Sequence, residues 1–124
     1  MCHRSMCEAM GRGAVPSHGR LTPEVALRLL ARSKHAQFAV LLEHGSASVE
    51  IYKPHGVDLQ VPHEQDEIYV ILSGSGFFVH NDVRQPFEAG EVLFVAAGVP
   101  HHFEEFSEDF ATWAIFYGPE GGEK

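Results

Sequence analysis

The chain is short of cysteine, of positive charge and of long apolar runs, and each shortage removes a class of protein. Its two cysteines, Cys2 and Cys7, both fall in the first seven of 124 residues, so the fold is not built on disulfides. The spacing of that pair, with His3 between, matches no common zinc site. Lysine and arginine number 9 against 17 aspartate and glutamate, a formal net charge of −8 with histidine neutral. Binding nucleic acid through its phosphates needs a basic surface, and docking on an anionic membrane needs the same, so neither partner is expected. No stretch of about 18 apolar residues occurs, and no membrane span is expected. Nucleophile-elbow, Walker-loop and dinucleotide-binding glycine motifs are missing too. Gly74-Ser75-Gly76 reads as a hairpin turn and not a phosphate cradle, because no helix follows it.

What the chain does have is 44% hydrophobic residues, enough for a buried core in one domain, and nine histidines. Histidine is the commonest metal ligand and the usual acid–base side chain near neutral pH, so the question is how many of the nine carry chemistry. Residues 1–20 hold Arg4, Arg12 and Arg20 against Glu8 and lack the apolar core of a secretory signal. They are expected to form a flexible leader, and the protein is expected in the cytoplasm.

Leu21-Thr22-Pro23-Glu24 is a helix start, with Thr22 able to cap, Pro23 suited to the first position and Glu24 complementing the dipole. A short helix is predicted over about 23–33. Everything afterwards reads as strand and turn. The apolar run 38–42 and residues 48–52 form a hairpin about His44-Gly45-Ser46, and a short strand is expected at 58–61. Strong strands follow at 67–73, 77–80 and 92–95, with Asn81-Asp82 as a tight turn, and 101–106 and 111–117 complete the set. Residues 119–124 read as a loose tail. Many short strands at this spacing indicate a β-sandwich or barrel. Both faces of 67–72 are largely apolar, so both should be covered. Glu67 is the exception, a carboxylate with no polar face to sit on, and such a group is expensive to bury unless it is paired or bound to a metal.

Residues 62–74, PHEQDEIYVILSG, and 90–105, GEVLFVAAGVPHHFEE, carry a resemblance. The sequence resembles the cupin superfamily, in particular its small single-domain conserved-barrel members. His63, Glu67 and Gly74 fall at the spacings of the family's first motif, and Gly90, Gly98 and His101 at those of its second. The resemblance implies an all-β fold, a double-stranded β-helix or jelly roll, with a metal site inside the barrel and one short helix ahead of it. The single cupin domain is expected over 21–118, its barrel over about 37–117. Four positions depart from the motifs. His55 stands where the first motif opens on glycine, Ala96 where the second has proline, and Glu105 where it ends on asparagine. Val61 stands where the family's first histidine would be and removes one of the four usual protein ligands.

The resemblance therefore leaves His63, Glu67 and His101 as the expected ligands of one divalent transition metal. Two imidazoles and a carboxylate form the set found in facial non-haem iron sites, with positions open for water or substrate. Iron, manganese, nickel and zinc all suit it. Val61, Tyr69, Gln60 and Trp113 are the candidate pocket residues, and Gln60 and His55 are unorthodox candidates for a fourth ligand. His102 is expected to face solvent beside Glu104. The function expected is binding of one metal and a small polar organic molecule, with metal-dependent oxygenation or isomerisation as the enzymatic version. A non-catalytic binding or sensor module, or a metal-free barrel, is the alternative. No residue stands out as a general base. A homodimer is expected, since exposed strand edges and two-sided apolar strands need covering.

Overall fold

The computed structural model describes residues 19–33, 37–58 and 62–124. A helix, α1 (Pro23–Arg32), is followed by eight strands: β1 (Phe38–His44), β2 (Ala47–Tyr52), β3 (Asp66–Ser73), β4 (Ser75–His80), β5 (Val83–Glu88), β6 (Val92–Val95), β7 (His101–Glu104) and β8 (Ala111–Tyr117). They form a five-stranded sheet in the order β1-β2-β8-β3-β6 and a three-stranded sheet in the order β5-β4-β7. All pairings between neighbouring strands are antiparallel. This is the all-β jelly-roll barrel that the sequence resemblance implies.

The helix forms where its capping signals place it. The Thr22 hydroxyl accepts from the Val25 N–H at 3.2 Å, and Pro23 opens the first turn. Ala26 and Leu30 are its buried side chains, and they pack with Ala39, Leu41, Ile51 and Ala111 on the outer face of the larger sheet. The main core lies between the two sheets. Tyr69, Phe87, Phe103 and Phe110 are fully buried there, with ring centroids 4.8–5.3 Å apart in the Phe87, Phe103 and Phe110 group and tilted packing of the kind aromatic pairs prefer.

The Asn81-Asp82 turn between β4 and β5 has both residues at positive φ, 48° and 70°, the requirement of a two-residue hairpin whose twist matches its strands. Gly74-Ser75-Gly76 is not a hairpin turn. β3 pairs with β6 and β8, whereas β4 pairs with β5 and β7, so this segment is the corner where the chain leaves one sheet for the other. Its glycines are required by close approach: a Cβ on Gly74 would lie 2.6 Å from the Phe110 Cα, and one on Gly76 would lie 2.7 Å from the Phe106 Cα.

The C-terminal residues are tied down and not loose. The Gly121 N–H donates to the Glu64 carbonyl at 2.7 Å, and the Glu123 N–H donates to Asp66 Oδ2 at 3.0 Å. Asp66 Oδ1 accepts from the Ala97 N–H at 2.9 Å, so one carboxylate holds both the tail and the loop after β6. These contacts hold the Asp66 carboxyl below the usual carboxylate range. Residues 1–18, most of the expected leader, lie outside the described residues, as do 59–61 of the expected short strand; Asp58 itself is in a loop.

Candidate metal centre

Three elements bring the expected ligands together. Glu67 is the second residue of β3 and points into the barrel with Tyr69 and Ile71; all three are buried. His101 opens β7 on the facing sheet. His63 lies in the loop ahead of β3 and is not a strand residue. Its position is set by the Gly98 N–H, which donates to the His63 carbonyl at 2.8 Å, and by the Phe116 ring, which meets its imidazole edge-on at 4.6 Å.

The ligand atoms of His63, Glu67 and His101 lie within 4.8 Å of one another. Nε2 of His63 is 2.6 Å from Oε1 of Glu67, and Nε2 of His101 is 3.4 Å from the same oxygen. Both Glu67 oxygens and both Nε2 atoms are nevertheless buried without a well-aligned hydrogen bond. Glu67 Oε1 sits between the two imidazoles at ion-pair distance, and the four atoms face one shared buried space. Metal–ligand bonds of about 2.0–2.2 Å put neighbouring ligand atoms about 3 Å apart, and the two nitrogen–oxygen separations here, 2.6 and 3.4 Å, lie on either side of that. The second ring nitrogens are occupied from behind. His101 Nδ1 contacts the Val99 carbonyl at 2.8 Å, and His63 Nδ1 contacts the Gln65 carbonyl at a longer 3.4 Å. A proton on Nδ1, held by a carbonyl, leaves Nε2 as the free donor toward the centre, the arrangement that orients metal-bound histidines. The residues present therefore fit a divalent cation.

Electrostatics agree with the geometry. Burial pushes the Glu67 carboxyl up, but the adjacent imidazoles of His101 and His63 outweigh it and hold the group below its ordinary value. Burial likewise pushes the His101 imidazole down, and the Glu67 carboxylate beside it more than restores it, leaving it above its ordinary value. The carboxylate stays charged, as a metal ligand must.

The other pocket candidates separate. Tyr69 is fully buried, with its ring 6.1 Å from that of His101, and belongs to the inner wall. Trp113 does not: it packs with the helix-side cluster on the outer face of the sheet, because neighbouring residues of β8 alternate and Ala114 and Phe116 are the ones that face inward. Gln60 and Val61 lie outside the described residues. His55 is exposed and does not join the cluster. His102 turns outward and contacts Glu104 Oε2 at 3.0 Å. A cavity of about 510 Å³ opens beside His63, bounded by Pro62, Glu64, Gly98, Glu120 and Gly121, so the tied-down tail forms one rim of it.

Two residues of this region were not singled out by sequence reasoning. Asp58 accepts the Tyr52 hydroxyl on Oδ1 and the Phe103 N–H on Oδ2 at 2.7 Å, linking the loop after β2 to β7. Glu50, on β2, is 3% exposed; its strand places it on the inward face with Ser48 and Tyr52. Burial first, then the charge of Glu67, pushes its carboxyl up to about 8. The signal was legible in principle: in SVEIY the polar positions alternate with Val49 and Ile51, and it is the polar set that faces the barrel.

A β-barrel with a buried His-Glu-His cluster between its sheets is a jelly roll with side chains that could hold a metal, and comparison with known proteins gives its family. The family described as Cupin domain matches residues 48–116, more than half of the chain. The chain belongs to the cupin family. It is 38% identical over 63 residues to an uncharacterized protein of Streptomyces coelicolor, a match covering 51% of this chain and 60% of that one. Among solved structures it is similar to a predicted oxalate decarboxylase from Thermotoga maritima, with 30% identity, a TM-score of 0.53, and 64% of this chain and 77% of that chain covered. A protein from Neisseria meningitidis shares the fold at 19% identity, with a TM-score of 0.62 over 80% of this chain and 99% of that one. Among the described residues no helix is long and apolar enough to cross a membrane.

Proposed function

We propose that this cupin holds one divalent transition metal through His63, Glu67 and His101 and acts on a small polar organic molecule that reaches the metal inside the barrel. The observation that carries the reading is the convergence of buried ligand atoms from both sheets, each imidazole backed by a carbonyl. Three protein ligands leave positions free on any metal of four or more coordination sites. When bound, the metal supplies Lewis-acid polarisation of a chelated oxygen, or redox chemistry if it is iron. The chain's own part is to orient that molecule. Tyr69 and Phe116 wall the site with apolar surface and exclude water. The carbonyls of Val99 and Gln65 keep the Nδ1 protons of the two imidazoles fixed. Oxygenation and isomerisation are the reaction classes proposed.

Elemental analysis of untagged protein tests the metal. The expected result is close to one equivalent, lost in His101→Ala; under about a tenth of an equivalent in wild type, unchanged in the variant, refutes the reading. Oxygen uptake by iron-loaded protein across thiols, diketones and phenols separates an oxygenase from a binder. Metal-loaded protein that is silent across the whole panel points to a binding module.

A further inference from the structure

The inner wall continues from the ligand cluster onto the smaller sheet, where it carries an imidazole that the metal centre does not use. β4 lies between β5 and β7. In register across these strands are Val83, His80 and His101 in one row, and Gln85, Phe78 and Phe103 in the next. Residues paired across an antiparallel ladder point to the same face, and so do residues two apart on one strand. Phe78 and Phe103 belong to the core between the sheets, so His80 faces the barrel interior beside His101. The rings agree: the Phe78 ring lies 6.0 Å from that of His80 and 6.4 Å from that of His101.

His80 differs from the other described histidines. His63 and His101 direct Nε2 at Glu67, His102 turns outward to Glu104, and His44 and His55 are exposed. His80 is half-buried, and among the described residues neither of its ring nitrogens has a hydrogen bond or an ion pair. It stands back from the centre, because its nitrogens are not among the ligand atoms that lie within 4.8 Å of one another. Its row ends on Val83, 55% exposed on the edge strand β5, so no large side chain closes the approach to the ring. An inward polar group without a partner is one that a bound molecule can satisfy.

The ladder sets the size of that molecule. Neighbouring strands lie about 4.8 Å apart, so a molecule bound to the metal at one end need span only about that distance to reach His80 with the other. We infer that His80 orients the metal-bound molecule, and that this molecule is a short bifunctional one, with a metal-binding group at one end and a hydroxyl or carbonyl at the other that hydrogen-bonds to the His80 ring. A neutral imidazole has one donor and one acceptor and so serves either group. His80 is thus a positioning residue that touches the bound molecule, and not a fourth metal ligand. The inference rests on the metal reading above and gives it a substrate class.

The test titrates cobalt-loaded protein, at one fixed pH and without oxygen, with 2-mercaptoethanol and with ethanethiol, each followed by the thiolate-to-cobalt charge-transfer band. The two thiols share the metal-binding sulfur and differ in a hydroxyl. In His80→Phe, and in His80→Leu as a second variant, 2-mercaptoethanol is expected to bind about fivefold or more weakly, the worth of a lost hydrogen bond, while ethanethiol moves less than about twofold. His80→Gln keeps a donor and an acceptor and is expected to restore most of the loss. A smaller fall for 2-mercaptoethanol overturns the inference. So does an equal weakening of both thiols, or a loss that His80→Gln does not restore, since either makes the ring a packing element. Loss of cobalt from both His80→Phe and His80→Leu makes His80 part of the metal's own hold and overturns it too. Wild type that takes up no cobalt overturns the metal reading itself, and the inference with it, so the two failures are distinct.

Discussion

Glu50→Gln is expected to change how stability depends on pH. In the folded, metal-free protein the Glu50 carboxyl is pushed up to about 8, by burial first and then by the charge of Glu67 and of Glu43. In the unfolded chain it titrates at about 4.5. Between these values the folded state holds a proton that the unfolded state has released, so this group's contribution falls as pH rises. It is fully present below about 4.5 and lost by the time pH passes 8. A full shift of this size, at about 1.4 kcal/mol per pKa unit, gives a loss of roughly 3 kcal/mol between pH 5 and pH 8. The amide of glutamine does not titrate, so the variant should lack this loss. Urea unfolding in the presence of a chelator, at pH 5 and pH 8, measures it. Relative to wild type, Glu50→Gln should gain about 2–3 kcal/mol at pH 8 over its standing at pH 5. Parallel behaviour of the two proteins would show that Glu50 is ionised and solvated in the folded state, and would refute the inward placement on which the argument depends.

Asp58→Ala should destabilise by about 2–6 kcal/mol, because it strands a buried hydroxyl on Tyr52 and the buried N–H of Phe103, each costing about 1–3 kcal/mol; a urea-midpoint shift worth less than about 1 kcal/mol would mean water replaces the carboxylate. Gly122→Ala places a Cβ 2.8 Å from Asp66 Oδ1 at a backbone φ of +86°, so it should release the tail. Faster amide exchange at Gly121 and Glu123 would register this, and unchanged exchange would refute it. Val92 and Phe94 are 64% and 51% exposed on β6, the edge of the larger sheet. If that edge carries the expected homodimer, light scattering finds wild type at twice 13.7 kDa and Phe94→Lys at the monomer mass; a monomeric wild type refutes it.

Much of this was legible in the sequence, for reasons that differ by element. α1 was fixed by Thr22 and Pro23, whose capping roles are local. β8 was found at its observed bounds because an apolar run of seven residues between Phe110 and Gly118 admits little else. The three candidate ligands came from the resemblance to the cupin motifs, which place His63, Glu67 and His101 at the family's ligand positions. The failures are all non-local. Whether Gly74-Ser75-Gly76 turns a hairpin or a corner depends on which strands pair, and partners such as β7 and β8 lie tens of residues further along the chain. Trp113 was assigned to the pocket although its inward neighbours are Ala114 and Phe116; the face a strand buries is set by register, and a one-residue shift reverses it. Glu50 was passed over because a polar strand face ordinarily meets water, and here it is buried inside the barrel. The tail looked loose because Asp66 was read as part of a motif and not as a hydrogen-bond acceptor for distant amides.

Glu67 and His101 belong to different sheets, and His63 to the loop before one of them. A cation shared by these three would be a rivet through both layers of the sandwich. Separating the layers would then require breaking coordination bonds at the outset, before much surface is exposed. Metal should accordingly slow unfolding more than it speeds folding, and lengthen the life of the folded protein in protease or heat beyond what its equilibrium stability alone conveys.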